Sequence, residues 1–322
     1  MSTSSFLSIG DLARQRTERI SLVMPGGSGA IPVVCVSGRT LAEAWENSLV
    51  ALYAHGCRIH TEYDETDAHG RRVDPPSMDC SMTMVVERPD GEPLIHKAFP
   101  GGLEDLEEYR QEVLEGVKDH WTRDPDNLED NRWEYTYHER LFAYTGPGFE
   151  KPVNRMNDLI EYLAANPHTR RCQAITWKPW EDLGIADPPC LQSFWFRLLD
   201  DDEGTPRLNM NVRFRSRDAY DAAFMNAFAF VYLMEWVAKE LSERMQREVK
   251  LGRYVDQSDS YHIYGKRLED FHERFLKQLE ARSFEERTWT REFAEPFFEE
   301  ARPKIAEKIA QQDAKYRAEG LL

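Results

Sequence analysis

Cysteine is scarce in this 322-residue chain and poorly arranged for pairing. The five cysteines, Cys35, Cys57, Cys80, Cys172 and Cys190, are odd in number and irregularly spaced, and no two form a Cys-x-x-Cys. That pattern argues against a disulfide framework and against a zinc site, so no metal is expected. Basic charge is also short: 41 Lys and Arg stand against 57 Asp and Glu, a net charge of −16. Sequence-independent nucleic-acid binding needs a basic face, so nucleic acid is not expected as a partner. A local arginine cluster can still hold a small anion against the distant field. Long apolar runs are missing too. The most apolar stretch, residues 222–238, contains Asn226 and Glu235 and is too short for a comfortable membrane span. Residues 1–10 show no basic region followed by an apolar core, so no secretory leader is expected. A cytoplasmic protein without a membrane partner is the reading, and no internal repeat or low-complexity tract is evident.

What is present is an ordinary globular mixture. Apolar residues make up 41%, aromatics 11% and charged residues 30%, enough for a sizeable core. Residues 1–25 are Ser-rich and read as a loosely held arm. A β-branched run at 31–36 and alternation at 82–87 predict strands, and 40–55 carries a helical period. Residues 103–121 and 153–166 predict helices, the second stopping before Pro167. Strands are expected at 172–177, 191–199, 208–214 and within 254–264. Asp218 is expected to open a long buried helix reaching to about residue 248, with a carboxylate at its positive end. The last fifty residues read as charged and helical. Strands and helices in mixed order predict an α+β fold, one sheet packed by helices.

Chemistry concentrates between residues 170 and 264. Cys190 follows Pro188-Pro189, which fixes the backbone just before the thiol. A lone cysteine at the start of an apolar strand is a small hydrophobe by default. Beside arginines its thiolate forms more readily, and a sulfur nucleophile can add to an activated carbon without a metal. Arg170, Arg171 and Arg215 each have an alternative as solvated charge. At strand ends, with Ser216 next to Arg215, they suit a phosphate. Asp218 reads either as a helix-terminal carboxylate or as a ligand contact. Asn226 lies inside an apolar helix, so its carboxamide needs hydrogen-bond partners, in the core or on a pyrimidine edge. His262 and Tyr264 flank Ile263 and face one side of a strand, as a core pair or as the wall of a sugar pocket.

The order Arg170-Arg171, Trp177, Pro189-Cys190, Arg215-Ser216-Arg217-Asp218, Asn226 and His262-Ile263-Tyr264 resembles the thymidylate synthase and pyrimidine nucleotide hydroxymethylase family. Asn226 stands eight after Asp218, as that family requires. The resemblance extends weakly upstream through Tyr137-His138-Glu139-Arg140, closer to archaeal-type members. It implies a thymidylate synthase-like fold, one mixed β-sheet packed by helices with a long buried central helix, as a single catalytic domain over 26–322. It implies that Cys190 attacks C6 of a pyrimidine nucleoside 5′-monophosphate, with Arg215 and Ser216 on its phosphate. Asn226 would then read the base edge, His262 and Tyr264 would meet the ribose 3′-hydroxyl, and Trp177 would lie near the active site. Asp218 corresponds to the contact with the pterin of 5,10-methylenetetrahydrofolate. Arg170 and Arg171 correspond to a pair lent across a homodimer interface, giving shared active sites. The activating glutamate is not cleanly placed: Glu112 is the candidate and Glu139 the other.

Two departures bear on the reaction. The family's usual His after the nucleophile is Leu191. The short apolar closing tail is replaced by a charged helix and a different ending, which leans towards water, rather than hydride, as the final reactant. The chain looks most like the CMP hydroxymethylases of nucleoside-antibiotic pathways such as that of mildiomycin. Its expected reaction is hydroxymethylation of CMP to 5-hydroxymethyl-CMP. Methylation of dUMP to dTMP is the alternative, and a catalytically silent nucleotide-binding relative is a third reading.

Overall fold

The structure, a computed structural model, describes residues 9–124, 127, 130 and 132–322. Along the chain come α1 (Ile9–Gln15), β1 (Ile20–Met24), β2 (Val33–Gly38), α2 (Leu41–His55), β3 (Cys57–Ile59), β4 (Ser77–Val86), β5 (Ile95–His96) and α3 (Leu103–Glu115). Next are α4 (Tyr137–Phe142), α5 (Arg155–Ala165), β6 (Gln173–Ile175), α6 (Pro179–Asp182), β7 (Leu191–Asp200), β8 (Pro206–Asp218), α7 (Ala223–Met245) and β9 (Lys250–Ile263). The last are α8 (Leu268–Asp270), α9 (Lys277–Ala281), β10 (Thr288–Trp289) and α10 (Arg291–Ala318). Hydrogen bonding orders the strands β1-β2-β4-β9-β8-β7-β6, with β3 against β4, while β5 and β10 pair separately. β2 and β4 run parallel, whereas β1 with β2, β3 with β4, β4 with β9 and β6 with β7 are antiparallel. The sheet is therefore mixed, and with its helices it gives the expected α+β class.

The contacts group the chain into two compact units. One comprises residues up to 100, 214–227 and 253–291; the other comprises 101–213, 228–252 and 292–322. β8, α7 and β9 each pass from one unit to the other partway along, which no linker in the sequence announces.

In the first unit α2 is held by Thr40 at its start, whose Oγ1 accepts the Glu43 amide at 3.4 Å. Gly56 ends it, where an added Cβ would fall 2.5 Å from the Leu52 carbonyl oxygen. Leu41, Trp45, Leu49 and Leu52 are fully buried, the helical stripe that the sequence predicts. Trp45 donates from Nε1 to the Ala219 carbonyl at 2.9 Å. Its ring packs against His96 and Phe224 at 5.2 and 5.1 Å. The segment read as a loosely held arm supplies α1 and β1 from Ile9 onwards, and β1 pairs with β2. Residues 1–8 lie outside the described residues. The polar composition reads as solvated because the sequence cannot show where the charge goes. Arg16 is committed to buried Glu46 at 2.8 Å, which His96 and Arg287 also meet at 2.9 Å each. Those partners outweigh burial and hold the Glu46 carboxyl down at about 2.

In the second unit α3 stops at Glu115 instead of running on to Trp121. Gly116 breaks it with φ 63°, a left-handed position that favours glycine. A Cβ there would also lie 2.3 Å from His138 Nδ1. The part of α7 in this unit buries Phe228, Phe230, Leu233, Met234, Val237 and Leu241, as the apolar run 222–238 predicts. α10 is charged as expected. It joins the unit through Arg302 to Glu107 at 3.0 Å, Lys308 to Glu108 at 2.6 Å, and Asp313 to Trp121 at 2.7 Å.

Candidate functional site

The Arg-Ser-Arg-Asp run is the end of β8. The strand continues through Asp218, and α7 begins only at Ala223, so Asp218 does not open the helix as expected. Its Oδ1 instead accepts the amides of Tyr220 and Asp221, at 3.0 and 2.9 Å. A side chain closing a turn on its own following amides competes with helix formation there. Arg217 is the buried member: it ion-pairs with Asp256 and donates to the Ala223 carbonyl at 2.8 Å, fixing the start of α7. Arg215 and Ser216 stay half-buried. Burial pushes the Asp218 carboxyl up to about 6, against the two backbone bonds that favour its ionised form.

The Ala219 amide donates to the His262 carbonyl at 2.7 Å. This bond ties the end of β8 to the end of β9, its neighbour in the sheet. Asn226 sits in the first turn of α7 and is buried. The first unit thus gathers Arg215, Ser216, Asp218, Asn226, His262 and Tyr264 at two adjacent strand ends and one helix start. The rings of His262 and Tyr264 meet edge to face at 4.7 Å. Tyr264 lies just past β9, and the Tyr63 ring also meets it edge to face at 5.9 Å.

The remaining predicted residues belong to the second unit. Cys190 is half-buried, one residue before β7, with Pro189 buried behind it. The Leu191 amide donates to the Tyr137 hydroxyl at 3.2 Å, and the Leu191 carbonyl accepts from Thr176 Oγ1. Gln192 Nε2 donates back to the Pro189 carbonyl at 3.0 Å. These bonds fix the backbone that carries the thiol. Nearby Tyr135 has its phenol pushed strongly upward by burial and by the negative charge available to Tyr137 and Cys190. Arg170 and Arg171 are exposed. They line a surface hollow with Tyr162, Asn166, His168 and Thr169. The Arg170 carbonyl accepts from Trp195 Nε1 at 3.1 Å, and the Arg171 amide donates to Thr169 Oγ1 at 3.2 Å. Trp177 is half-buried, and its carbonyl accepts from the Tyr144 hydroxyl at 2.9 Å.

Both candidate glutamates are half-buried, and burial raises the carboxyl of each. Glu112 meets Lys118 at 3.1 Å. Glu139 is held in a cluster, 3.0 Å from Lys178 and 3.2 Å from Arg140. Arg140 in turn grips buried Asp182 with two bonds, at 3.0 and 2.8 Å. Among the described residues no group of three or more His, Cys, Asp or Glu could hold a metal ion, and no helix is long and apolar enough to cross a membrane.

Sequence reasoning missed Tyr137 as the support under the strand that follows Cys190, although it stands in the quoted Tyr137-His138-Glu139-Arg140 stretch. It also missed Lys118, which is buried beside Glu112 and lies over the rings of Trp121 and Trp133 at 5.7 and 5.1 Å. One Lys and two Trp within 118–133 carried only a weak signal of that cation–π contact.

Comparison with known proteins gives the family and the fold. The family described as Thymidylate synthase matches residues 101–290. A protein of Methanocaldococcus jannaschii described as "Putative thymidylate synthase" is 27% identical over 251 residues, covering 76% of this chain and 97% of its own. One of the same description from Methanococcoides burtonii is 28% identical over 229 residues, 71% of this chain and 88% of its own. Among solved structures, thermostable thymidylate synthase A from Bacillus subtilis superposes with a TM-score of 0.52 at 17% identity. That match covers 73% of this chain and 83% of the other, and it shows the fold alone.

Proposed function

From the premise that this chain belongs to the thymidylate synthase family, we propose that it transfers a one-carbon unit from 5,10-methylenetetrahydrofolate to C5 of a pyrimidine nucleoside 5′-monophosphate. The finer reading is hydroxymethylation of CMP. Cys190 adds to C6, which makes C5 nucleophilic. Arg215 and Ser216 take the phosphate, with Arg170 and Arg171 from a second copy of the chain in a homodimer. Asn226 reads the base edge, turned to accept from the cytosine amino group and donate to N3. His262 and Tyr264 take the sugar, and Trp177 lies by the base. Glu112 serves the proton transfers: burial and Lys118 pull its carboxyl in opposite directions, and burial wins, as suits a group that must both hold and release a proton. The folate supplies the carbon as co-substrate. Asp218 fits its pterin, because both of its backbone bonds fall on Oδ1 and Oδ2 is left for a ring N–H.

The observation that carries the reading of water over hydride is the charged surround of Glu112. Lys118 binds Glu112 and also Glu108 at 2.6 Å, and Glu108 binds Lys308 of α10. Lys308, on the exposed side of α10, leaves this chain of charges open to solvent at one end, whereas hydride transfer favours exclusion of water. The test is incubation with methylenetetrahydrofolate and each of CMP, dCMP and dUMP. A hydroxymethylated product with oxygen from solvent, and folate leaving as tetrahydrofolate, is expected with CMP. A methylated product with dihydrofolate makes the chain a thymidylate synthase. No release of tritium from any 5-tritiated nucleotide makes it a silent relative.

A further inference from the structure

β4 and β9 pair so that Asp79 stands opposite His262. Ser260 lies two residues before His262, on the same side of β9. Its Oγ is 2.8 Å from Asp79 Oδ2 and 3.2 Å from His262 Nδ1. The three side chains form a line across the two strands. Asp79 and His262 are only 8% and 7% exposed. The outer atom at each end, Asp79 Oδ1 and His262 Nε2, is buried without a hydrogen-bond partner among the described residues. An orphaned buried nitrogen beside Tyr264 asks for a ligand atom to complete it.

The polarity of that nitrogen follows from counting protons. A serine hydroxyl has one proton, and a carboxylate can only accept. Ser260 therefore gives its proton to Asp79, and its oxygen is left to accept. The only donor His262 can offer there is Nδ1–H, so Nε2 keeps a bare lone pair. Burial supports both premises: it pushes the imidazole down to about 4, so His262 is neutral at pH 7, and raises the Asp79 carboxyl only to about 6.

We infer that Asp79 is a positioning residue which, through Ser260, holds His262 in the Nδ1–H tautomer and makes Nε2 an acceptor for a sugar hydroxyl of the nucleotide. The sugar part of this rests on the function proposed above; the tautomer part does not. Asp79 comes from the β4 end of the chain, outside the 101–290 match. The specificity of the sugar contact is thus set by a residue far from the His-x-Tyr motif in sequence.

The decisive variant is Asp79→Asn in the full chain. An amide that donates to Ser260 turns the serine hydroxyl round to donate to Nδ1, and the histidine proton moves to Nε2. Nitrogen-15 spectra of histidine-labelled protein read this directly without any ligand. Wild type is expected to show His262 as Nδ1–H and the variant as Nε2–H. In the variant the KM for the nucleotide should rise about tenfold, with kcat changed less than about threefold, because a positioning change weakens binding more than chemistry. Ser260→Ala should give a mixture of tautomers, and Ser260→Thr, which keeps the hydroxyl, should restore the wild-type spectrum. An Nε2–H tautomer in the wild type, or an unchanged one in both Asp79→Asn and Ser260→Ala, overturns the relay. A changed tautomer with an unchanged nucleotide KM overturns its link to the sugar. If the wild type turns over no nucleotide, the proposed function fails while the spectra still decide the relay.

Discussion

At Cys190 the proposed chemistry reduces to one atom. Cys190→Ser should cut turnover by at least about 10³-fold, because a hydroxyl is a far poorer nucleophile at neutral pH. Nucleotide affinity should stay within about threefold, since phosphate, sugar and base contacts are assigned elsewhere. Calorimetric titration beside a product assay checks both, and turnover near the wild-type rate would remove Cys190 from the mechanism. Asp218 makes a different kind of prediction. Its folded-state carboxyl lies at about 6, above its ordinary 3.8, so the native state binds the proton more tightly. Stability then falls as pH rises from about 4 to about 6, and the full cost is present at pH 7. Asp218→Asn keeps an oxygen for the Tyr220 and Asp221 amides and removes the buried charge. It should stabilise the protein by up to about 3 kcal/mol at pH 7, with the gain vanishing near pH 4. Thermal melts at the two pH values test this, and a lower melting temperature at pH 7 contradicts it. The sequence offered Cys190, Arg215, Asp218 and Asn226 as candidates because the motifs that carry them are local. It could not show Asp79 against Ser260, because strand register joins residues 181 apart in the chain.

Elements were legible where periodicity was strong and illegible where one residue broke it. The stripe of α2 and the apolar run of α7 came through directly, since burial of one face or of all faces leaves a pattern. α3 ended early because Gly116 occupies a left-handed position, and β8 overran its prediction because Asp218 closes a turn instead of capping a helix. The break after α3 bears on the proposed role of Glu112. It lets Lys118 fold back onto α3, where it joins Glu108 and Glu112 while α10 supplies Lys308. Lys118→Met should therefore leave Glu108 with a cation and Glu112 with none. A half-buried carboxylate without its partner protonates more readily, so the acid limb of the pH–rate profile should move up by about one unit. Lys308→Met, which leaves Glu108 with Lys118 and Glu112 untouched, should leave that limb in place. Equal shifts in the two variants would mean that Glu112 is not the group being titrated.

For the whole molecule, the exposed arginine pair decides what one chain can be asked to do. Arg170 and Arg171 are exposed and lie in the second unit, while Arg215 and Ser216 close β8 in the first. Family membership proposes that the exposed pair reaches a second copy's phosphate. A twofold dimer with shared sites makes a quantitative prediction. Arg171→Ala and Cys190→Ser are each expected to be inactive as pure proteins, the first because every site lacks a guanidinium, the second because every site lacks the nucleophile. Mixed in equal amounts and allowed to exchange, half the dimers become hybrids, and each hybrid holds one site with both residues and one with neither. Activity should recover to about a quarter of wild type. Subunit exchange is verified independently by mass or by fluorescence transfer between labelled protomers. Recovery after verified exchange places Arg171 in the partner's site. Verified exchange without recovery means that each chain completes its own site, and the exposed arginines then need another role.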